Sequence, residues 1–360
     1  MAIAAGCALP AAPIATPAAP ERITIVASER GPHGAVLVAI DEHGDRRREL
    51  FPLPQHAASI TRDTNPVISP DGRWVAFASS RGRSLDETSL WIAPLAGGTP
   101  VEVGSGPWID AHPAWTFDGT ALVFASTRDG AGFDLERGEL AFAPTPHFTR
   151  VDRLTDGRDH EVTPAVARDG TIVFAAVADL GGGRVDSKLE VRAPDGAIRA
   201  LTAGPADTTP AISPDGCTVA FARPVVRGST ADGELWTVPL GAPGCAASTG
   251  EARLVDLPLT DETGPVWSAD GRYLFATSML RGADGTPVFS SVIYLDLTAH
   301  PVVARLLEDH AGATARLTPA LAPGGFDTAA LAANPEYLPE LARILAGPIE
   351  EAKQRLQAAP

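Results

Sequence analysis

One heptapeptide that keeps returning along the chain restricts its fold more than any other feature. Pro66-Val-Ile-Ser-Pro-Asp-Gly72 recurs as Pro113-Ala-Trp-Thr-Phe-Asp-Gly119, Pro164-Ala-Val-Ala-Arg-Asp-Gly170, Pro210-Ala-Ile-Ser-Pro-Asp-Gly216 and Pro265-Val-Trp-Ser-Ala-Asp-Gly271. A worn sixth copy, Thr318-Pro319-Ala-Leu-Ala-Pro-Gly-Gly325, follows. A period of about fifty residues, with an apolar strand on each side of an Asp-Gly turn, indicates four-stranded blades. The 35 glycines and 33 prolines among 360 residues exclude a helical bundle, while 44% hydrophobic residues supply a core.

Within a copy, Pro-x-x-Ser-Pro-Asp-Gly ends an innermost strand, because Gly accepts positive φ and Asp tolerates it in a tight hairpin. The next strand alternates Val75 and Phe77 with Ala76 and Ala78, the period of two that lets a sheet face its neighbour. Leu90–Leu95 and Glu234–Pro239 read as third strands and Pro100–Val103 as a fourth. In the fifth copy Phe275 falls one place earlier than Phe77 predicts, which signals repacking or a small register change.

Five good copies do not close a ring, so the termini must supply a sixth blade. Ile23–Ser28, Gly34–Ile40 and Glu49–Leu53 read as second, third and fourth strands with no first, and Leu317–Ala322 as a first strand with nothing after it. The expected fold is therefore an all-β six-bladed β-propeller, one domain over residues 23–322, with the sixth blade closed by both termini and no free sheet edge. A short helical tail is expected over 327–358, its apolar stripe running through Leu338, Leu341, Leu345, Ile349, Ala352 and Leu356.

Residues 1–20 carry no charged side chain and read as a leader and Ala/Pro tether. Ala4-Ala5-Gly6-Cys7 resembles the lipobox of bacterial lipoproteins, which makes Cys7 a lipidation candidate and implies a start upstream. No apolar run approaches the ~20 residues of a membrane-spanning helix. Cys217 and Cys245 fall on one end of one blade and are a candidate disulfide worth roughly 3 kcal/mol, with two independent thiols as the other reading. A bridge there would agree with export to an oxidising compartment.

With the repeat in hand, the chain resembles the TolB-like six-bladed β-propellers, whose WD40-like PD40 repeats are built on a Pro-x-x-Ser-Pro-Asp-Gly core. The resemblance covers nearly all of residues 23–322 and is strongest at Pro66–Gly72 and Pro210–Gly216. It implies a periplasmic or outer-membrane, partner-binding protein. The same repeat also occurs in propeller domains of peptidases and in some polysaccharide lyases, so fold alone does not fix function.

A formal charge of −15, with only Lys188 and Lys353 among the lysines, leaves no basic stripe for nucleic acid. No G-x-S-x-G elbow, phosphate-binding loop or zincin motif occurs, and Gly181-Gly182-Gly183 reads as a flexible connection. One constellation stands out when the copies are aligned. Three residues before each leading Pro stand Asp63, Asp110, Glu161, Asp207 and Glu262, with Arg316 at the sixth place. These positions are expected around one mouth of a central channel, with His112, Asp159, His160, Asp309 and His310 in or beside the same loops. Such a ring could hold a divalent cation such as calcium through oxygen ligands, or a basic segment of a partner. The competing reading is structural: an acid at the start of a repeat accepts backbone N–H bonds in the entering loop or pairs with a basic residue of the next blade, and Arg81, Arg128, Arg223 and Arg281 recur just after the second strand.

The expected function is a non-catalytic, exported, lipid-anchored monomer, without cofactor, that binds a basic protein or peptide at the channel mouth. The alternative is a metal-assisted lyase or hydrolase acting on an anionic saccharide. A third reading is a purely structural module of a cell-envelope assembly.

Overall fold

In the computed structural model, which describes residues 23–31, 34–44, 47–52, 60–130, 132–227, 230–246, 250–257, 260–281, 287–307 and 315–343, every Asp-Gly copy is a tight turn between antiparallel strands. Gly72 has φ of 71° and donates its N–H to the Ser69 carbonyl at 2.8 Å. The Ser69 hydroxyl donates to Asp71 Oδ1 at 2.6 Å and accepts the Trp74 N–H at 2.9 Å, while Asp71 Oδ1 also accepts the Arg73 N–H at 3.0 Å. Ser213 with Asp215, Ser268 with Asp270, and Thr116 with Asp118 repeat this arrangement. The Ser/Thr and the Asp of the motif are therefore explained by the turn's own hydrogen bonds.

Five repeat units follow one another along the chain. Unit 1 is Thr61–Ile68, Trp74–Ser79, Ser89–Pro94 and Val101–Glu102. Unit 2 is Asp110–Trp115, Ala121–Ser126, Asp134–Ala141 and His147–Arg153. Unit 3 is His160–Val166, Ile172–Gly181, Arg184–Arg192 and Ile198–Ala200. Unit 4 is Thr208–Ile212, Thr218–Arg227, Thr230–Pro239 and Ala252–Arg253. Unit 5 is Thr260–Trp267, Tyr273–Arg281, Pro287–Asp296 and Ala304–Leu306. In each, strands pair antiparallel in sequence order. A terminal unit combines the two chain ends: Ala315–Leu321 pairs with Ile25–Gly31, which continues to Gly34–Ile40 and Arg48–Glu49. A two-residue parallel bridge, Gly34 with Thr61 and Ala35 with Arg62, joins the terminal unit and unit 1 into one eight-stranded sheet.

The core lies between units. Six buried clusters each draw on two of them, and each unit contributes to two clusters. Phe77 and Val75 pack against Val26 and Leu37 of the terminal unit, and Ala76 and Ala78 pack with Leu122 and Phe124 of unit 2. The terminal unit meets unit 5 in the same way, through Ile25, Val38, Phe275 and Tyr294. Indole N–H groups add polar ties between units: Trp115 donates to the Val67 carbonyl and Trp267 to the Ala211 carbonyl, both at 3.1 Å. The displaced Phe275 is repacking, because Val266 pairs with Phe275 as Val67 pairs with Ala76. The aromatic ring has moved to the other face of its sheet, where it fills the seam with the terminal unit.

After the last strand, Asp327 caps a helix over Thr328–Ala333 by accepting the N–H groups of Ala329 and Ala330. A further helical stretch occupies 337–343. Leu331, Tyr337 and Leu341 are buried, but Leu338 is 41% exposed, so the buried face is offset from the stripe read in the sequence. The tail crosses the seam. Tyr294 of unit 5 donates its hydroxyl to the tail's Leu331 carbonyl, while the tail's Asn334 amide donates to the Glu42 carbonyl at 2.8 Å, just past a strand of the terminal unit. Residues 344–360 and Cys7 lie outside the described residues.

Cys217 and Cys245 form a disulfide that closes a separation of 28 residues in unit 4. Limiting the freedom of that loop in the unfolded chain is worth about 3 kcal/mol. Reduction is expected to lower the thermal midpoint by about 5–10 °C, and a Cys217→Ser/Cys245→Ser variant is expected to melt at the reduced midpoint with or without reductant. Equal melting of oxidised and reduced protein would contradict a stabilising bridge.

Candidate functional site

The aligned carboxylates stand where the chain enters each innermost strand, and all are buried: Asp63 0%, Asp110 0%, Glu161 4%, Asp207 0% and Glu262 1% exposed. In the three Asp units the side chain reaches the second strand of its own unit. Asp63 accepts the Ser79 hydroxyl at 2.5 Å and Arg81 Nε at 3.1 Å. Asp110 accepts Ser126 at 2.6 Å and Arg128 Nη2 at 3.3 Å, and Asp207 accepts Arg223 Nε at 2.5 Å and Nη2 at 2.8 Å. Their backbones reach the preceding unit, Asp110 N–H bonding the Thr88 carbonyl and Asp207 N–H the Ser187 carbonyl, both at 3.0 Å. In the terminal unit the charges are exchanged: buried Arg316 lies opposite Glu29 in register, with Nε 3.3 Å from Oε2. The side chain of Arg281 lies outside the described residues.

The Glu units differ. In unit 3 the register places Ala176 and Ala178 where unit 1 has Ser79 and Arg81, and Glu161 accepts the Thr155 hydroxyl at 3.3 Å. Burial, reinforced by nearby Asp134, pushes its carboxyl up to about 7. Glu262 accepts the Ser278 hydroxyl at 2.7 Å, and Ser278 in turn meets the Tyr337 hydroxyl of the tail at 2.7 Å. Its Oε2 is buried without a hydrogen-bond partner, and burial raises its carboxyl to about 9. Asp110 is raised to about 6 by burial even with Arg128 beside it. A carboxyl raised on folding supports stability fully below its unfolded value and loses that support as pH rises through its folded value. The stability these three carboxyls contribute is therefore expected to fall from about pH 4.5 to about pH 9, its upper part set by Glu262. Glu262→Gln should flatten the decline between pH 7 and 9 in urea melts; identical slopes for the two proteins would refute this assignment.

Two residues further along each innermost strand lies a second ring. Asn65, His112, Thr163, Thr209, Gly264 and Thr318 each precede the leading Pro and have positive φ, between 48° and 61°. In units 1–5 this residue falls in the bulge where the register shifts. A bulge re-aims its side chain out of the pleat. All six line one cavity of about 130 Å³ together with the prolines that follow them. Asn, His and Thr are costly at positive φ, so the bulge holds them there at an expense met by the surrounding sheet.

Three side-chain atoms in this ring are buried without a hydrogen-bond partner: His112 Nδ1, Thr163 Oγ1 and Thr318 Oγ1. Thr209 instead donates or accepts across to Thr263 and accepts the Gly264 N–H at 3.1 Å. Burial lowers His112 to about 4, so the ring is uncharged at neutral pH. Of the residues drawn from the sequence, only His112 lies in the cavity lining; the carboxylates and Arg316 stand outside it. The other five ring positions are marked in the sequence as the residues just before the leading prolines, two places after the aligned carboxylates and Arg316.

Asp159 and His160 are half-buried, with His160 Nδ1 accepting the Phe133 N–H at 3.1 Å, and Asp309 and His310 lie outside the described residues. Among the described residues no three His, Cys, Asp or Glu side chains form a group that could hold a metal ion. A cation placed at Asp63, Asp110 or Asp207 would have to displace the Arg and Ser donors already on those oxygens. No helix among the described residues is long and apolar enough to cross a membrane.

No protein-family model matches the chain, and no curated protein matches its sequence. Solved structures do match in shape. TolB from Acinetobacter baumannii superposes with a TM-score of 0.62 at 18% identity, over 84% of this chain and 67% of that one. A putative TolB from Agrobacterium tumefaciens gives 0.58 at 16% identity, over 84% of this chain and 94% of that one. Hydrazine synthase from Kuenenia stuttgartiensis gives 0.59 at 14% identity, but this chain spans only 46% of it. At such identities the likeness is one of fold: the chain is a mainly β protein whose sheets resemble those of β-propellers such as TolB.

Proposed function

We propose that the terminal unit and the five repeat units are six blades of one PD40-type propeller spanning residues 23–322, closed where Ala315–Leu321 pairs with Ile25–Gly31, and that it is a non-catalytic binding protein. Its partner, a protein or peptide, docks where the loops enter the innermost strands and places polar groups in the cavity mouth. The observation that carries this reading is the ring of buried atoms without partners, His112 Nδ1, Thr163 Oγ1 and Thr318 Oγ1, around one shared cavity. Buried polar groups are almost always satisfied, so unfilled ones at an opening favour a ligand or bound water. The net charge of −15 favours a basic partner. The Cys217–Cys245 bridge supports export to an oxidising compartment such as the periplasm, with Cys7 as the lipid attachment point. No cofactor enters this reading; the lead carboxylates hold the blades, and the residues in front of them meet the partner.

A photo-crosslinker at Asn65 is expected to capture one partner from envelope extract, with yield falling as salt rises from about 50 to about 300 mM. The same crosslinker at Asp195, on an exposed turn of unit 3, should not capture it. Equal capture from both positions would refute docking at the mouth.

A further inference from the structure

The Asp-Gly turns lie at the other end of the innermost strands from the lead carboxylates, and between units 2 and 3 they border a cleft of about 490 Å³. The apolar part of its lining includes Val123, Leu154, Val166 and Ile172. Three guanidinium groups, Arg137, Arg168 and Arg192, line it in a protein whose net charge is −15. Asp118 and Asp169 line it too, but both are engaged in their own turns: Asp118 Oδ1 accepts the Thr116 hydroxyl and the Thr120 N–H, and Asp169 Oδ1 accepts the Thr171 N–H.

Each arginine is positioned differently. Arg168 lies over the ring of Phe117, its guanidinium carbon 4.1 Å from the centroid, and forms no ion pair among the described residues. Stacking uses the face of a guanidinium and leaves its in-plane N–H groups free. Arg192 is held across the two units by its Nε bond to the Leu154 carbonyl at 3.0 Å. Arg137 pairs with Glu139 through Nη1. Phe117 is itself 50% exposed, with Arg168 over one face of its ring.

We propose that this cleft is a binding site for a small organic acid, a carboxylate carried on a flat apolar body. The carboxylate would take the free edge of Arg168, which suits two parallel N–H···O bonds, and the body would lie against the apolar lining beside Phe117. Phosphate would satisfy the arginines but not the apolar lining, and acetate would satisfy neither fully. The site is separate from the cavity ring and does not depend on what docks there.

The test is titration of the whole protein with benzoate, acetate and inorganic phosphate, followed by NMR of the Arg Nε–H and Phe117 ring signals. Benzoate is expected to saturate with a Kd of about 1 mM or tighter and to bind at least about fivefold better than acetate or phosphate. Arg168→Gln and Phe117→Ala, both at exposed positions, should each weaken benzoate about fivefold or more while leaving the melting temperature unchanged. Absence of saturation up to about 20 mM benzoate would overturn the proposal. So would phosphate binding as tightly as benzoate, or benzoate affinity unaffected by Arg168→Gln.

Discussion

In units 1, 2 and 4 the innermost strand is entered through an aspartate that is tied in two directions at once, to the preceding unit through its backbone and to its own unit's second strand through its carboxylate. The backbone N–H of Asp110 or Asp207 bonds a carbonyl of the preceding unit, and the carboxylate bonds Ser or Arg on the second strand of its own unit. Burying a carboxylate costs several kcal/mol unless it is paired and hydrogen-bonded. The guanidinium beside it meets that condition, and once paired the group fixes both the angle of the strand and its distance to the neighbour. The bulge two residues later follows from the same anchoring, because the chain must turn its side chain out before the Pro and resume pairing after it.

The terminal unit solves the same problem with the charges exchanged. Arg316 on the innermost strand and Glu29 on the second strand come from opposite ends of the chain, so this ion pair links residues that no local sequence brings together. The tail adds a second tie across the seam, through Tyr294 to the Leu331 carbonyl and Asn334 to the Glu42 carbonyl. In unit 5 the tail's Tyr337 reaches Glu262 through the Ser278 hydroxyl.

Much of this was legible from the repeat. The Asp-Gly turns, the strands on each side and the pairing of Ala315–Leu321 with Ile25–Gly31 follow from aligned prolines and glycines, since turn chemistry is local. The role of the carboxylates was open, because one position relative to Pro suits both a lined channel and a buried ion pair. Which atoms face the cavity is decided by the bulge, and a one-residue insertion in a strand leaves no mark on composition. Asn65, Thr163, Thr209 and Thr318 are unremarkable polar residues until six copies meet at one cavity. The arginine cleft was harder still. Arg137, Arg168 and Arg192 occupy different offsets in different units, and only packing of unit 2 on unit 3 brings them together.

In units 1, 2 and 4 the lead aspartate and its arginine form one buried structural pair. A double-mutant cycle on Asp63→Asn and Arg81→Met, read by urea unfolding, tests this most directly. Removing Arg81 alone should strand a buried carboxylate and cost about 3 kcal/mol, while the double variant should recover part of that loss, a coupling of about 2 kcal/mol. Additive effects, with coupling below about 0.5 kcal/mol, would contradict the account.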